Sequence, residues 1–474
     1  MSQHKLTAEN INLLLLKMST PAVIAMLATA LFSLVDTIFL GQYVGKSGIT
    51  ACTVVLPLNI TSFSFAIMIA VGASSIFSHA VGDKDYKRAN LIAGNAFCLS
   101  LILGVVMTAI GYIFADPLLY LMGATKTVLH DSRTYLYWML PGTIIFPLCI
   151  VGNNILRAEG NTKDSMIGVV SGVLSNIFLD WLFIVVFKWG IAGAAIATTL
   201  SKVITLVYQL YYYHSKQTLI SVDLKMWIVE KKIFLRIVAL GASVFFMNIA
   251  GSFNLSVINN ILRYYTNEDN IAVYGIISKA FLFAVLPIIG IAQGLQPIVG
   301  VNFGAKEYKR ILIAIRDSMV WGISVGIVAL SLIYIFAEPF SLTMLKDKHL
   351  LDSCIDGMKI LCLGVPFAAL HIILTTVYQA LGNAKPALYF SIFRQVGLFL
   401  TFVLLFPLII KTYNLNIPIE NSVWFSIALS DIVAAIVAVF FFFKIKKYIL
   451  NKEHVKISEM NDYVQPNSQF DSIV

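Results

Sequence analysis

Twelve long apolar runs fill most of this 474-residue chain. A helix needs about 20 apolar residues to cross the hydrocarbon core of a bilayer. The runs lie at about 19–41, 50–75, 91–115, 134–156, 165–187, 190–213, 236–262, 271–298, 314–338, 357–381, 387–410 and 421–445. They are continuous rather than alternating, so they read as helices and not as barrel strands. Composition agrees. Apolar residues make up 58% and charged residues 12%, against roughly 45–50% and 25% in soluble domains. Mean hydropathy is +0.83. A chain with so few charges cannot cover a soluble surface, and it is far too apolar for disorder. The expected fold is an all-α integral membrane protein with 12 transmembrane helices.

The net charge is +9, but the basic residues form no patch suited to nucleic acid. They are dispersed through short loops. With the N-terminus taken as cytoplasmic, the inner loops and ends hold 22 Lys and Arg and the outer loops hold 9. Both termini are therefore expected in the cytoplasm. The five cysteines form no CxxC and no disulfide framework. The polar N-terminus runs into the first span without a cleavage pattern, so no signal peptide is expected.

The expected organisation is a cytoplasmic segment over 1–18, six spans over 19–213, a connector over 214–235, six spans over 236–445, and a polar tail over 446–474. The connector has an amphipathic stretch expected on the inner membrane surface. The tail after Lys452 is expected to be disordered.

The halves are repeats. Gly82-Asp83-Lys84-Asp85-Tyr86-Lys87-Arg88 resembles Gly304-Ala305-Lys306-Glu307-Tyr308-Lys309-Arg310 at an offset of 222. Ala158-Glu159-Gly160-Asn161-Thr162-Lys163 resembles Ala380-Leu381-Gly382-Asn383-Ala384-Lys385 at the same offset. Six spans per repeat gives both halves one orientation. Two repeated six-helix bundles should then pack about an axis along the membrane normal, with a central cleft suited to alternating access.

Ionisable groups inside spans are costly and mark function by default. Asp36 lies in span 1 and Asp180 in span 5. Asn176 is one turn before Asp180 on the same face, and Thr198 in span 6 adds a hydroxyl. These hard oxygens suit H⁺ or Na⁺ rather than a soft metal. The competing reading pairs the carboxylates with Lys202 or Lys279. The 222 offset maps Asp36, Asn176 and Asp180 onto Ile258, Leu398 and Phe402, so this chemistry belongs to the first half alone. Asn153, Gln293 and Gln296 are candidates for lining the cleft, or for plain interhelical hydrogen bonding. Arg394 is expected to snorkel, with Asp431 an available partner, and His371 to be packed in the core. Pro21 precedes Asp36 in span 1, where it removes a backbone hydrogen bond and permits a kink.

Together VDTIFLGQ with Asp36, GDKDYKRA, LRAEGNTK, the Asn176–Asp180 pair, IAQGLQPIVGVNFGAKEYKR, YQALGNAKP and FRQ resemble the multidrug and toxic compound extrusion (MATE) family, over about residues 10–450. The IAQGLQPIVG run is most similar to its bacterial multidrug-efflux branch. The resemblance implies two six-helix lobes and efflux of organic cations driven by inward H⁺ or Na⁺, with no cofactor beyond that ion and no enzymatic activity. It implies that the ion sits at Asp36, Asn176, Asp180 and Thr198, and that Pro21 is the kinking proline. It places the chain in a bacterial inner membrane, where a monomer suffices. In other branches span 7 carries a carboxylate, but here LGASVFFMNIAGSFNLSVINN has none. Two rival functions are a lipid-linked headgroup flippase, which needs a basic cavity, and a membrane-embedded enzyme, for which no catalytic motif is present.

Overall fold

The structure is a computed structural model that describes residues 3–215, 218–219, 227–266, 269–344, 348–413 and 418–464. All regular elements among these residues are helical. The first six spans are Ile11–Val44, Ser47–Gly82, Tyr86–Ile113, Leu129–Ala158, Thr162–Val186 and Gly190–His214. Spans 7 to 9 are Lys231–Tyr265, Asp269–Gly304 and Tyr308–Leu342, and spans 11 and 12 are Ala384–Thr412 and Ile419–His454. Span 10 is the pair Leu350–Cys362 and Val365–Ala380, bent by 43°. The bend falls where Pro366 opens the second helix, since proline cannot continue the amide ladder backwards.

Several helices overrun their apolar runs. Span 1 starts at Ile11 because the Asn10 side chain caps it, accepting from Asn12 N at 2.9 Å. Span 3 starts at Tyr86 under the Asp85 cap, which accepts from Arg88 N at 3.0 Å. Such caps satisfy backbone N–H groups that a helix start leaves unpaired.

The tail corrects the sequence reading. The last helix continues to Val464, past the point where disorder was expected. Ile445 and Ile449 are buried one turn apart. Lys456 Nζ donates to Lys306 O at 3.0 Å and pairs with Glu307 at 3.3 Å. The tail is held by the turn after span 8. Residues 465–474 lie outside the described residues, as does most of the connector's amphipathic stretch. The described end of the connector packs on span 3: Trp227 stacks on Phe97 at 5.9 Å, and Glu230 N donates to Asn95 Oδ1 at 2.7 Å.

The buried apolar residues form three cores. The largest draws on both halves, from Leu14, Phe77, Ile92 and Ile155 to Leu295, Ile311, Val377 and Phe390, all at the end that carries the termini. At the opposite end the halves have separate cores. One contains Val55, Leu119, Leu140 and Ile184, and the other Ile258, Ile277, Met358 and Trp424. The molecule is thus two lobes sealed at the terminal end and parted at the far end.

The seal requires close backbone approach. Gly290 and Gly294 of span 8 lie against span 1, where a Cβ on Gly294 would stand 2.5 Å from Ser19 Oγ and 2.7 Å from Ser19 N. This small-residue spacing is a common device for close helix crossing in membranes. Hydrogen bonds complete it. Ser75 Oγ donates to Gln379 O (2.5 Å), His79 Nε2 to Ala380 O (2.6 Å), and Gln296 Nε2 to Ser74 Oγ (3.0 Å). Ser74 and Gln296 are 222 residues apart, and so are Gly82 and Gly304, which also meet. Residues equivalent under the repeat meet only near its axis, so the pseudo-two-fold axis runs through this seal.

Candidate functional site

Asp36 and Asp180 approach one another in the half of the first lobe away from the termini, close enough for their charges to interact. Each precedes an irregular turn. The helix of span 1 passes into a π-helical segment at Leu40–Val44, and that of span 5 at Trp181–Val186. Such wide turns recur at functional sites because they re-aim neighbouring side chains. Asp180 is fully buried, and its Oδ1 has no hydrogen-bond partner among the described residues.

Asn176 and Thr198 adjoin the pair. The orientation of the Asn176 amide follows from its neighbours. Its nitrogen donates to Asp180 Oδ2 at 2.8 Å, and its oxygen accepts from Thr198 N at 3.2 Å. A backbone N–H can only donate, so the amide oxygen must face it. The Asn176 oxygen thus gives one of its two lone pairs to the span 6 backbone. Asn176 holds Asp180, and Thr198 enters through its backbone.

The cluster has two members that the sequence did not mark. Tyr135 of span 4 lies within electrostatic reach of both Asp36 and Asp180, and its hydroxyl accepts from Cys52 Sγ of span 2 at 3.6 Å. Span 4 reads Tyr135-Leu136-Tyr137-Trp138, and only packing shows which ring turns inward. Tyr135 is 4% exposed, Tyr137 39% and Trp138 51%.

Neither Lys202 nor Lys279 forms an ion pair with these carboxylates among the described residues. Lys202 Nζ lies instead 4.9 Å from the centroid of the Phe146 ring. Pro21 is inside the continuous helix Ile11–Phe39.

The three candidate cleft residues serve packing in this conformation. Asn153 Oδ1 accepts from Ser165 Oγ at 3.1 Å, tying span 4 to span 5. Gln296 is buried in the seal. Gln293 accepts from Arg157 Nη1 at 2.7 Å across the two lobes, and it alone of the three keeps partial exposure. In the second lobe Arg394 does not snorkel; it pairs with fully buried Asp431, with Nε to Oδ1 at 2.8 Å. His371 is a buried core residue.

The MatE family profile matches residues 21–182 and again 243–404, two stretches displaced by the same 222 residues as the sequence repeat. The chain belongs to the MatE family. It is therefore a multi-pass membrane transporter and not an enzyme. Relatives of this MatE transporter include the multidrug export protein MepA of Staphylococcus aureus, 25% identical over 79% of this chain and 83% of that one. The MepA of Staphylococcus saprophyticus is 25% identical over 80% and 83%. Among solved structures, an outward-facing conformation of a multidrug resistance MATE family transporter of the MOP superfamily superposes with a TM-score of 0.88. It is 23% identical and covers 96% of this chain and 99% of that one. The two-lobe, twelve-span fold is thus that of MATE transporters.

Proposed function

We propose that this MatE transporter exports organic cations in exchange for H⁺ by alternating access, in a bacterial cytoplasmic membrane with both termini in the cytoplasm. The observation that carries the reading is the Asp36–Asp180 pair, set in one lobe on the side where the lobes have parted. Two nearby carboxylates titrate as a pair and attract a cation when charged. Protonation from outside removes that attraction, so the substrate leaves outward while the proton stays. Closure of the far end and opening of the seal then carry the proton inward. Coupling needs the two ligands to differ between states by about 1–3 kcal/mol.

H⁺ is favoured over Na⁺ by Asn176. A sodium ion needs several converging oxygens, and the amide oxygen expected among them has one lone pair already given to Thr198 N. A proton needs one lone pair, which Asp180 Oδ1 supplies. The flippase reading fares less well, because a pyrophosphate would meet two carboxylates in this lobe.

The test is ethidium transport by proteoliposomes under an imposed pH gradient or an imposed Na⁺ gradient. Transport driven by the pH gradient alone, and lost in Asp36→Asn, is expected. Transport that needs Na⁺ at fixed pH would replace the proton, and transport indifferent to Asp36→Asn would overturn the site.

A further inference from the structure

The described end of the connector covers a pocket on the flank of the first lobe. Phe97 of span 3, Leu148 of span 4, Leu206 and Leu210 of span 6 and Trp227 of the connector line it, and its volume is about 140 Å³. Gln209 and Tyr213 also border it, yet its wall is apolar, because both residues turn their polar atoms into span 4. Gln209 Nε2 donates to Cys149 O at 3.0 Å, and the Tyr213 hydroxyl donates to Gly152 O at 2.8 Å. Gln209 Oε1 faces Gly152, where a Cβ would stand 2.5 Å from it. Water in a cavity needs two to four polar partners, whereas a dry apolar cavity of about 150 Å³ admits a guest the size of benzene. The pocket therefore suits a length of hydrocarbon chain.

It lies at membrane depth and opens sideways. Phe97 is eleven residues past Tyr86, and Gln209 is five before His214, the terminal-side ends of their spans. At 1.5 Å per residue these positions are about 16 and 8 Å into the spans, in the half nearer the termini. Leu210 is exposed, and Leu206, Leu148 and Trp227 are part-exposed. Ile228 and Val229, next to Trp227, are exposed as well, so this piece of the connector turns apolar side chains outward. Basic residues follow at once. From Trp227 to Arg236 the chain carries Lys231, Lys232 and Arg236 against one acid, Glu230. All three cations are exposed, and none forms an ion pair among the described residues. The bond from Glu230 N to Asn95 Oδ1 sets this stretch beside span 3, where Arg88 lies seven residues before Asn95 on the same face. Arg88 and Arg236 are both within electrostatic reach of His79, so cations from two elements gather here.

We infer that this pocket binds one acyl chain of an anionic phospholipid from the leaflet on the terminal side, with its headgroup phosphate held by Lys231 and Lys232. A lipid chain is the occupant because the pocket is apolar and opens at a depth where hydrocarbon is the solvent. The anionic class follows from charge, since basic side chains clustered at a membrane surface attract acidic headgroups. Bound there, the lipid sits between the first lobe and the segment that joins the two lobes. The site goes beyond the efflux reading and does not depend on the ion or the substrate carried.

The experiment uses the purified full-length protein in phosphatidylcholine nanodiscs that contain a varied fraction of brominated phosphatidylglycerol or brominated phosphatidylcholine. Bromine quenches a tryptophan that it touches, and the quenching of Trp227 is read as the difference between the wild type and Trp227→Phe. Brominated phosphatidylglycerol is expected to quench Trp227 at a fraction about fivefold lower, or lower still, than brominated phosphatidylcholine, as for one or more basic side chains near the surface. Lys231→Gln combined with Lys232→Gln should remove that preference. Leu206→Phe, which fills the pocket, should lower quenching by phosphatidylglycerol to the phosphatidylcholine level. Equal quenching by the two lipids in the wild type would overturn the site, as would a preference that survives the double Gln variant. Quenching unchanged by Leu206→Phe would place the chain outside the pocket and overturn it too. If Leu206→Phe does not fold, the wild type and the surface double variant still decide the matter.

Discussion

Asn176 shows how a single backbone contact sets the chemistry of a site. Its amide cannot rotate without placing nitrogen against Thr198 N, so its donor stays on Asp180. The sequence marked Asp36 and Asp180 because carboxylates in apolar runs are conspicuous. It did not mark Tyr135, because one of 20 tyrosines is not, and its neighbours Tyr137 and Trp138 face outward. A further buried carboxylate lies outside the spans. Glu159, in the turn between spans 4 and 5, is fully buried and accepts from Thr218 Oγ1 at 2.8 Å and Asn161 Nδ2 at 3.2 Å. Burial pushes its carboxyl up to about 7, despite these bonds. The folded state then keeps a proton that the unfolded chain releases above the ordinary glutamate value of 4.5. Stability from this group is greatest at low pH and falls between about pH 4.5 and 7, by up to about 3 kcal/mol at 1.36 kcal/mol per pKa unit. Glu159→Gln should therefore melt higher than wild type at pH 8, with the gap closing toward pH 4.5. A gap that is constant with pH in thermal melts would refute this assignment.

Elements behave as the apolar runs require, with exceptions where polar residues extend them. All twelve spans were legible from length and hydropathy. Their ends were not, because Asn10, Asp85 and the lysines of the last helix act through caps and contacts that periodicity does not register. Gln293 and Gln296 read equally as cleft-lining or interhelical; in this conformation Gln296 bonds Ser74 of span 2 and part-exposed Gln293 bonds Arg157 of span 4. The packing of span 8 on span 1 depends on glycine. Gly294→Val would drive a side chain into the Ser19 backbone, and overpacking of this kind costs about 1–3 kcal/mol. The expected outcome is a seal that no longer closes. In a background free of native cysteines, Ser74→Cys should react faster with an impermeant maleimide from the terminal side when Gly294→Val is also present. Equal reactivity with and without Gly294→Val would show that the glycine does not govern closure.

The whole molecule follows from the repeat. An offset of 222, read from two loop motifs, reappears in the seal where Ser74 meets Gln296. The repeat fixes two lobes of one orientation, but it cannot say which end is closed; that depends on which buried faces match, and the three cores answer it. Covalent closure of the seal should stop turnover. Ser74→Cys with Gln296→Cys, oxidised in proteoliposomes, is expected to abolish ethidium exchange and to recover it on reduction. Exchange that persists in the oxidised double variant would exclude alternating access through this interface.

The central claim is that one pair of carboxylates serves proton and substrate in turn. It is tested most directly by adding ethidium to the purified protein in lightly buffered, Na⁺-free detergent solution and recording pH with an indicator dye. Proton release on binding, absent in Asp36→Asn, is the predicted result. Ethidium binding without proton release in the wild type, across the pH range in which transport runs, would contradict it.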